Sequence, residues 1–164
     1  MRILYCYTRP HPRSVASVEA LAGPHVEYVG VLGDLLGYWK AISRRWTGEE
    51  PLAVIEHDIE IHEGVMSGFL ECKQPWCAFA YEISTPGNWT ARALGCTRYS
   101  AEAQRAAPVD VIEAVPHSCS RCSGKPGCWA HLDGQIAQAL EEAGLSVHEH
   151  RPPVTHWNKA IRAE

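Results

Sequence analysis

The chain has 164 residues, of which 46% are hydrophobic and 21% charged, and its formal net charge is −4. This size and composition suit one domain with a hydrophobic core, and the lack of any basic run disfavours generic nucleic-acid binding. No apolar segment approaches the roughly 20 residues that a membrane-spanning helix needs, and the N-terminus lacks the pattern of a secretory signal. We therefore expect a cytoplasmic protein whose seven cysteines are reduced or metal-bound.

The first part of the chain alternates predicted strands with predicted helices. Apolar runs at residues 2–8 and from Leu52 onward indicate buried strands, and residues 25–32 indicate another strand between them. Between them, capping and periodicity predict a short helix that Ser14 caps and a second helix over 34–46. The order strand, helix, strand, helix, strand is typical of a parallel sheet covered by helices.

The later part of the chain gives shorter signals. They predict a helix over 63–71, strands over 76–83, 93–100 and 146–150, a short helix that Pro108 ends, and an amphipathic helix over 132–144. The stretch 109–115 is too short to assign. We expect the fold class to be α/β, with a Rossmann-like, mostly parallel sheet flanked by helices and a cysteine-rich loop before the last long helix.

The stretch LAVIEHDIEIH ends its apolar run in Glu56, His57 and Asp58. In open α/β sheets, ligands bind at the carboxyl edge of the strands. Two carboxylates and an imidazole this close together can hold a divalent cation. The alternative interpretation is an ordinary strand followed by a polar turn with helix-capping acids.

A second cluster of potential ligands lies in the segment HSCSRCSGKPGCWAH. It places three thiols and an imidazole within 13 residues, namely Cys119, Cys122, Cys128 and His131. Zinc favours tetrahedral sulfur and nitrogen ligands, so a structural zinc is one interpretation, and reduced thiols in a loop are the other. A zinc here would rigidify the loop before Asp133. We expect Cys72 and Cys77 to be packed thiols.

The segment WAHLDGQIAQALEEAGLSVHEHRPPVTHWN resembles the closing block of GT-A-fold glycosyltransferases, particularly the inverting group known as family 2. That block has an acid pair opening an apolar helix that ends in Ala-Gly, then a short strand, a proline and a histidine. Here Leu132-Asp133 stands where Glu-Asp is usual, and the remaining features follow in order as Ala143-Gly144, Pro152 or Pro153, and His156. LAVIEHD then matches the strand leading to the family's metal-binding DXD motif, in the variant form Glu-His-Asp, and YCYTRP matches its first strand and nucleotide-contacting loop.

The resemblance implies a single GT-A-like domain over 1–164 that moves a sugar, with inversion, from a UDP, GDP or dTDP sugar to an unknown protein or glycan acceptor. It is strongest to short members found in phages and actinobacteria, and the cytoplasm would be the host's for a phage protein. The chain is shorter than a usual GT-A domain, which implies a reduced acceptor region.

The family's roles carry over to particular residues. Asp58 and His156 would hold Mn²⁺ or Mg²⁺, and Mn²⁺ is preferred because it accepts mixed oxygen and nitrogen ligands. Asp133 would be the catalytic base, and its alternative role is a helix N-cap. The expected nucleotide-sugar contacts are Thr8, Arg9, Lys40, Arg44, Glu56 and Arg98, with Trp89 and Trp129 as aromatic faces for a sugar ring.

Some of these assignments have plain alternatives. Lys40 and Arg44 can equally form a solvated helix face, and Arg98 can form a surface salt bridge. For the chain as a whole, the alternative is a non-catalytic, zinc-bearing binding module for a protein or nucleic acid, which the cysteine segment motivates.

Overall fold

The computed structural model describes residues 1–83, 87–118 and 122–157. The strands are β1 (Arg2–Tyr7), β2 (Val26–Gly30), β3 (Leu52–Glu56), β4 (Ile59–Glu60), β5 (Trp76–Phe79), β6 (Tyr81–Glu82), β7 (Trp89–Thr90), β8 (Cys96–Tyr99), β9 (His148–His150) and β10 (Thr155–His156). The helices are α1 (Pro12–Leu21), α2 (Gly37–Ser43), α3 (Val65–Glu71), α4 (Ala101–Ala106), α5 (Val109–Ala114) and α6 (Trp129–Glu142).

Six strands form the central sheet, in the order β2-β1-β3-β8-β5-β9. β1 runs parallel to β2 and β3, and β9 runs parallel to β5. β8 is antiparallel to both of its neighbours, because the chain passes from β5 to β8 through the small β6–β7 hairpin and no crossover helix intervenes. The predicted α/β class and mostly parallel sheet are confirmed.

Helices cover both faces of this sheet, which explains the unbroken apolar runs in the strands. Leu4 and Cys6 of β1 pack with residues of α2, α4, α5 and α6 on one face. Ile3 and Tyr5, which point the opposite way, pack with residues of α1 and α3 on the other face.

None of the helices in the described ranges is both long and apolar enough to cross a membrane.

The structure corrects the predicted cap of α1. The N-cap is His11, whose Nδ1 accepts a hydrogen bond from the Arg13 amide at 3.3 Å. Ser14 lies inside the first turn, fully buried, with its hydroxyl 2.9 Å from the Tyr5 hydroxyl. The serine therefore ties α1 to β1 and does not cap the helix.

Several other boundaries differ from the expectations. The strand predicted over 76–83 is divided into β5 and β6, which belong to different sheets. The helix predicted over 34–46 is the shorter α2, because Asp34 Oδ1 accepts a hydrogen bond from the Leu36 amide at 2.9 Å and closes a turn before the helix. The unassigned stretch 109–115 forms α5, and α6 begins at Trp129, ahead of the predicted start.

Candidate functional site

A cleft of about 880 Å³ opens at the carboxyl ends of β1 and β3. Segments far apart in sequence contribute side chains to it: Thr8 and Arg9 after β1, Asp34 after β2, Glu56, His57 and Asp58 at the end of β3, Asp133 on α6, and His156 on β10. This is the sheet edge at which the acidic motif predicted a ligand site.

His156 reaches the cleft because β10 pairs with β4. In this short antiparallel ladder His156 lies opposite Ile59, and the amide of Trp157 donates to the Asp58 carbonyl at 2.7 Å. The indole of Trp157 stacks on His11 with ring centroids 4.6 Å apart, so the segment is also held on the side of α1. The ladder therefore brings the imidazole of His156 next to the carboxylate of Asp58.

The hydrogen bonds of His156 determine which ring nitrogen faces Asp58. Nδ1 lies 2.7 Å from the carbonyl oxygen of Glu82, and because a carbonyl only accepts, Nδ1 carries a proton. Nε2 lies 3.1 Å from Asp58 Oδ2. A metal-binding histidine commonly has this arrangement, in which the outer nitrogen donates to a backbone carbonyl and fixes the tautomer.

The Asp58–His156 pair shifts the pKa of both partners toward their charged forms. Burial alone raises the pKa of Asp58, but the hydrogen bond and charge of His156 and the charge of His57 bring it below its ordinary value. Burial alone lowers the pKa of His156, but the hydrogen bond and charge of Asp58 and the hydrogen bond to Glu82 raise it above its ordinary value. Asp58 therefore favours the protonated form of His156, and His156 favours the ionised form of Asp58.

The environment of Glu56 disfavours the charged form of its carboxylate. Burial and the nearby charges of Asp58 and Asp133 raise its pKa to about 8, against the opposing effect of His156. Carboxylates that share a partly dry site repel one another and favour a proton or a cation. The electrostatics of the cleft therefore favour binding of a positive ion.

Asp133 lies in the second turn of α6, whose N-cap is Cys128, so it does not cap the helix. One carboxylate oxygen accepts a hydrogen bond from the Gly134 amide at 2.8 Å. Burial raises the pKa of Asp133 above its ordinary value, although the hydrogen bonds from Gly134 and from its own amide and the charge of His131 lower it. The alternative role as a helix cap is thereby removed.

Two further residues line the cleft: His57, the imidazole of the predicted cation-binding motif, and Tyr38, to which no role was assigned. The Tyr38 hydroxyl lies 2.7 Å from His57 Nδ1, and the Thr8 hydroxyl lies 3.4 Å from His57 Nε2. Burial lowers the pKa of His57, against the opposing charge of Asp58, which favours the neutral imidazole. Tyr38 lies inside α2, and no local pattern in the sequence marks it as a cleft residue.

The predicted cationic and aromatic contacts divide into two groups. Arg9 and Trp129 line the cleft, and Lys40 forms an exposed ion pair of 2.7 Å with the cleft residue Asp34. Among the described residues that line the cleft, neither Arg44 nor Trp89 appears. The face of Trp129 is about half exposed, which leaves it accessible to a ligand.

Arg98 lies away from the cleft. It sits on β8 opposite Ala53, toward the amino end of β3, and is only 8% exposed. Its guanidinium donates from Nη1 to the carbonyl of Gln74 at 3.2 Å. Arg98 is therefore neither among the described residues that line the cleft nor in a surface salt bridge, the two roles that the sequence suggested.

The cysteine segment is only partly described, since Cys119 lies outside the described residues. Cys122 and Cys128 are buried, and Cys122 Sγ lies 3.4 Å from Nε2 of His117. Within the described part of the chain, the atoms of Cys122, Cys128 and His131 do not gather into a potential metal site, whereas those of another group, Cys72, Cys77 and His150, do. A zinc at the cysteine segment stays a prediction.

Comparison with known proteins gives a fold and no family. No protein-family model and no curated protein matches the chain. Among solved structures, it is similar to A197 from STIV, with a TM-score of 0.55 and 11% identity over 98% of this chain and 87% of that one. It is also similar to a proposed nucleotide-diphospho-sugar transferase from Desulfovibrio desulfuricans, with a TM-score of 0.41 and 9% identity over 91% of this chain and 58% of that one. The first likeness shows a shared fold, and the second is too distant to support a conclusion.

Proposed function

We propose that the chain is a single GT-A-like domain over 1–164 that transfers a sugar, with inversion, from a UDP, GDP or dTDP sugar to a protein or glycan acceptor. One observation carries the proposal: Asp58, Asp133 and His156, each from a motif that resembles the glycosyltransferase family, line one cleft at the carboxyl edge of the sheet. Asp58 belongs to the LAVIEHD motif, and Asp133 and His156 belong to the closing block, so an incidental match to two separate motifs would not be expected to bring these residues into one cleft.

The pair Asp58 and His156 suits Mn²⁺ or Mg²⁺. It offers one carboxylate oxygen and one imidazole nitrogen 3.1 Å apart, and the Glu82 carbonyl leaves Nε2 as the nitrogen that faces the carboxylate. Two protein ligands leave positions for water and for diphosphate oxygens, as is usual for these cations. When bound, the cation would neutralise the charge of the leaving diphosphate. Glu56 would assist through a water or the ribose.

Asp133 would act as the base. As the acceptor oxygen attacks the anomeric carbon, the bond from that carbon to the diphosphate oxygen breaks, and the carboxylate of Asp133 takes the hydroxyl proton. A base is most effective when its pKa lies nearer the working pH, and burial raises the pKa of Asp133 in that direction. Inversion follows if the acceptor approaches the face opposite the leaving group.

The remaining cleft residues would bind the donor. Thr8 and Arg9 follow β1, at the position that the resemblance assigns to the nucleotide, and Asp34 with its partner Lys40 forms the neighbouring wall. Trp129 would offer its indole face to a sugar ring. Arg44 and Arg98 are not among the described residues that line the cleft.

The proposal is tested by calorimetric titration of UDP, GDP and dTDP, with and without Mn²⁺, into wild type, Asp58→Asn and the control Asp110→Asn. Asp110 is an exposed carboxylate on α5 that is not among the described cleft residues. We expect one nucleotide to bind only with Mn²⁺ in wild type and in the control, and binding to be lost in Asp58→Asn. Failure of all three nucleotides to bind would overturn the proposal and favour the non-catalytic binding module.

A further inference from the structure

A second group of potential metal ligands lies away from the cleft. It consists of Cys72, which follows α3, Cys77 on β5 and His150 on β9, and one ligand atom from each lies within 4.8 Å of the other two. Both thiols are free. Two sulfurs and a nitrogen at this separation are a ligand set typical of zinc.

The sheet register explains why these side chains meet. β5 and β9 are parallel, with Cys77 opposite His148 and Phe79 opposite His150. Because side chains two residues apart share a face, these four point to the same side of the sheet. α3 packs on that side, with Phe69 against Phe79, and its C-cap Cys72 completes the group.

The imidazole of His150 is held in place and lacks a partner. Its ring stacks on Phe79 with centroids 4.8 Å apart. Nε2 is buried and has no hydrogen-bond partner among the residues that the structure describes. Burial and the charges of His148 and Arg98 lower the pKa of His150, so the neutral, ligating form is favoured. A buried polar atom without a partner indicates a missing one.

Arg98 supplies one positive charge beside Cys77, and this charge does not offset the burial of the thiol. Burial and the adjacent Cys72 raise the pKa of Cys77 to about 12, and Arg98 only partly opposes this. Arg98 also donates to the Gln74 carbonyl, in the turn between the two cysteines, and so fixes their spacing. A divalent metal would supply the charge that makes both sulfurs thiolates, and two thiolates with Zn²⁺ form a neutral unit that suits a buried position.

We propose that Cys72, Cys77 and His150 bind a structural zinc ion, with the fourth position taken by water or by His148. The ring of His148 lies 4.9 Å from that of His150 and is exposed, so the open position faces solvent. The ion would join the end of α3 to β9. This proposal is independent of the proposed function, since neither the residues nor the test involves the cleft.

The test measures zinc in wild type, Cys72→Ser and the double variant Cys72→Ser/His150→Gln, each purified with zinc under reducing conditions. Because the cysteine segment is a separate candidate site, Cys122→Ser serves as the matched control. We expect Cys72→Ser to retain less zinc than wild type, the double variant to contain one zinc fewer per chain, and Cys122→Ser to keep the ion at the proposed site. Far-ultraviolet circular dichroism identifies any variant that fails to fold.

Cobalt substitution reports the ligands directly. We expect Co²⁺-loaded wild type to show a sulfur-to-metal charge-transfer band that is weaker in Cys72→Ser and weaker still in the double variant, whereas Cys122→Ser keeps the contribution of the proposed site. The affinity of Cys72→Ser for the metal ion should fall by more than roughly 10–100-fold. That range is typical when a residue that hydrogen-bonds to a metal ligand is lost, and here a ligand itself is lost. Should Cys72→Ser and wild type hold equal zinc, the proposal is overturned.

Discussion

His156 Nε2 lies 3.1 Å from Asp58 Oδ2, although the two residues are 98 positions apart. The ring cannot simply rotate, because its other nitrogen donates to the Glu82 carbonyl at 2.7 Å. The ring of Tyr81 packs edge-on against it, with centroids 5.0 Å apart. The pair is thus formed before any ligand arrives, which reduces the ordering that metal binding would require.

The affinity of the cleft for Mn²⁺ should depend on pH through His156. The pKa of this histidine is raised, so below that pKa a proton on Nε2 competes with the metal. We expect the Mn²⁺ affinity to fall by about tenfold per pH unit below the raised pKa, because one proton is released per ion bound. Calorimetry across neutral pH would measure this dependence.

Two variants control this pH experiment. Glu56 also has a raised pKa, of about 8, and its proton could produce a similar dependence. Glu56→Gln should keep the dependence if His156 is responsible, whereas His156→Gln should abolish it and weaken binding. If the pH dependence of Mn²⁺ affinity disappears in Glu56→Gln and not in His156→Gln, the competing proton belongs to Glu56.

Replacing Glu56 by Gln should stabilise the protein at alkaline pH. The folded-state pKa of about 8 exceeds the ordinary 4.5, so the folded protein binds the proton more tightly than the unfolded chain does. The contribution of Glu56 to stability is therefore full below about pH 4.5 and is lost as the pH rises through about 8. At pH 9, Tm should be higher by a few degrees in Glu56→Gln than in wild type, since each kcal/mol is worth about 2–4 °C in a protein of this size.

Thermal melts of wild type and Glu56→Gln at acid and alkaline pH would check this. The two proteins should melt at similar temperatures at pH 5, because Glu56 is protonated there in the folded state. Glu60→Gln, a change in the next strand at a residue that bonds the Trp157 indole, serves as the comparison and should stabilise at neither pH. Equal Tm values for wild type and Glu56→Gln at pH 9 would show that the charge of Glu56 does not destabilise the folded protein, and would contradict the raised pKa of this residue.

Asp133→Asn should separate binding from turnover. The amide keeps the shape of the side chain but cannot take a proton, so we expect sugar transfer, or donor hydrolysis in its place, to fall by about 10²–10⁴-fold. Mn²⁺-dependent nucleotide binding should change little, because Asp58 and His156 remain. Steady-state rates with Asp110→Asn as control measure the effect, and full activity of Asp133→Asn would exclude this residue as the base.

Gly127→Ala should destabilise the loop that precedes α6 far more than Gly124→Ala. Both glycines have positive φ, of +73° and +75°, so the backbone strain of the alanine is shared. A Cβ at Gly127 would come within 2.2 Å of Trp39, whereas one at Gly124 meets nothing within 4 Å. The clash should add about 1–3 kcal/mol to the loss of stability. Equal denaturation midpoints for the two variants would contradict this packing.

Local sequence patterns were sufficient to predict the frame of the fold and part of the site. The apolar run before Glu56 and Asp58 predicted both a strand buried on two faces and a polar group at its carboxyl edge, and the structure shows both. The direction of β8 could not be predicted in this way. An apolar run reads the same in either orientation, and only the connection through the β6–β7 hairpin determines it.

Contacts between segments that are distant in sequence also could not be predicted from local patterns. Arg98 was expected at the sugar site because it is a cation on a predicted strand, but only the sheet register places it beside Cys77. Similarly, Cys72 and Cys77 were predicted to be packed thiols, because nothing in their neighbourhood points to a histidine more than seventy residues later. The register of β9 against β5 brings it there.

The ladder between β4 and β10 has only two residues on each strand and is not part of the six-stranded sheet, so it can open while the core stays folded. Short, peripheral pairings open at lower free energy than the central strands of a sheet. Local opening of this ladder would withdraw His156 from Asp58 and leave the six-stranded sheet intact. On gentle heating, the protein should therefore lose the cleft reversibly, well before its main unfolding transition, and regain it on cooling.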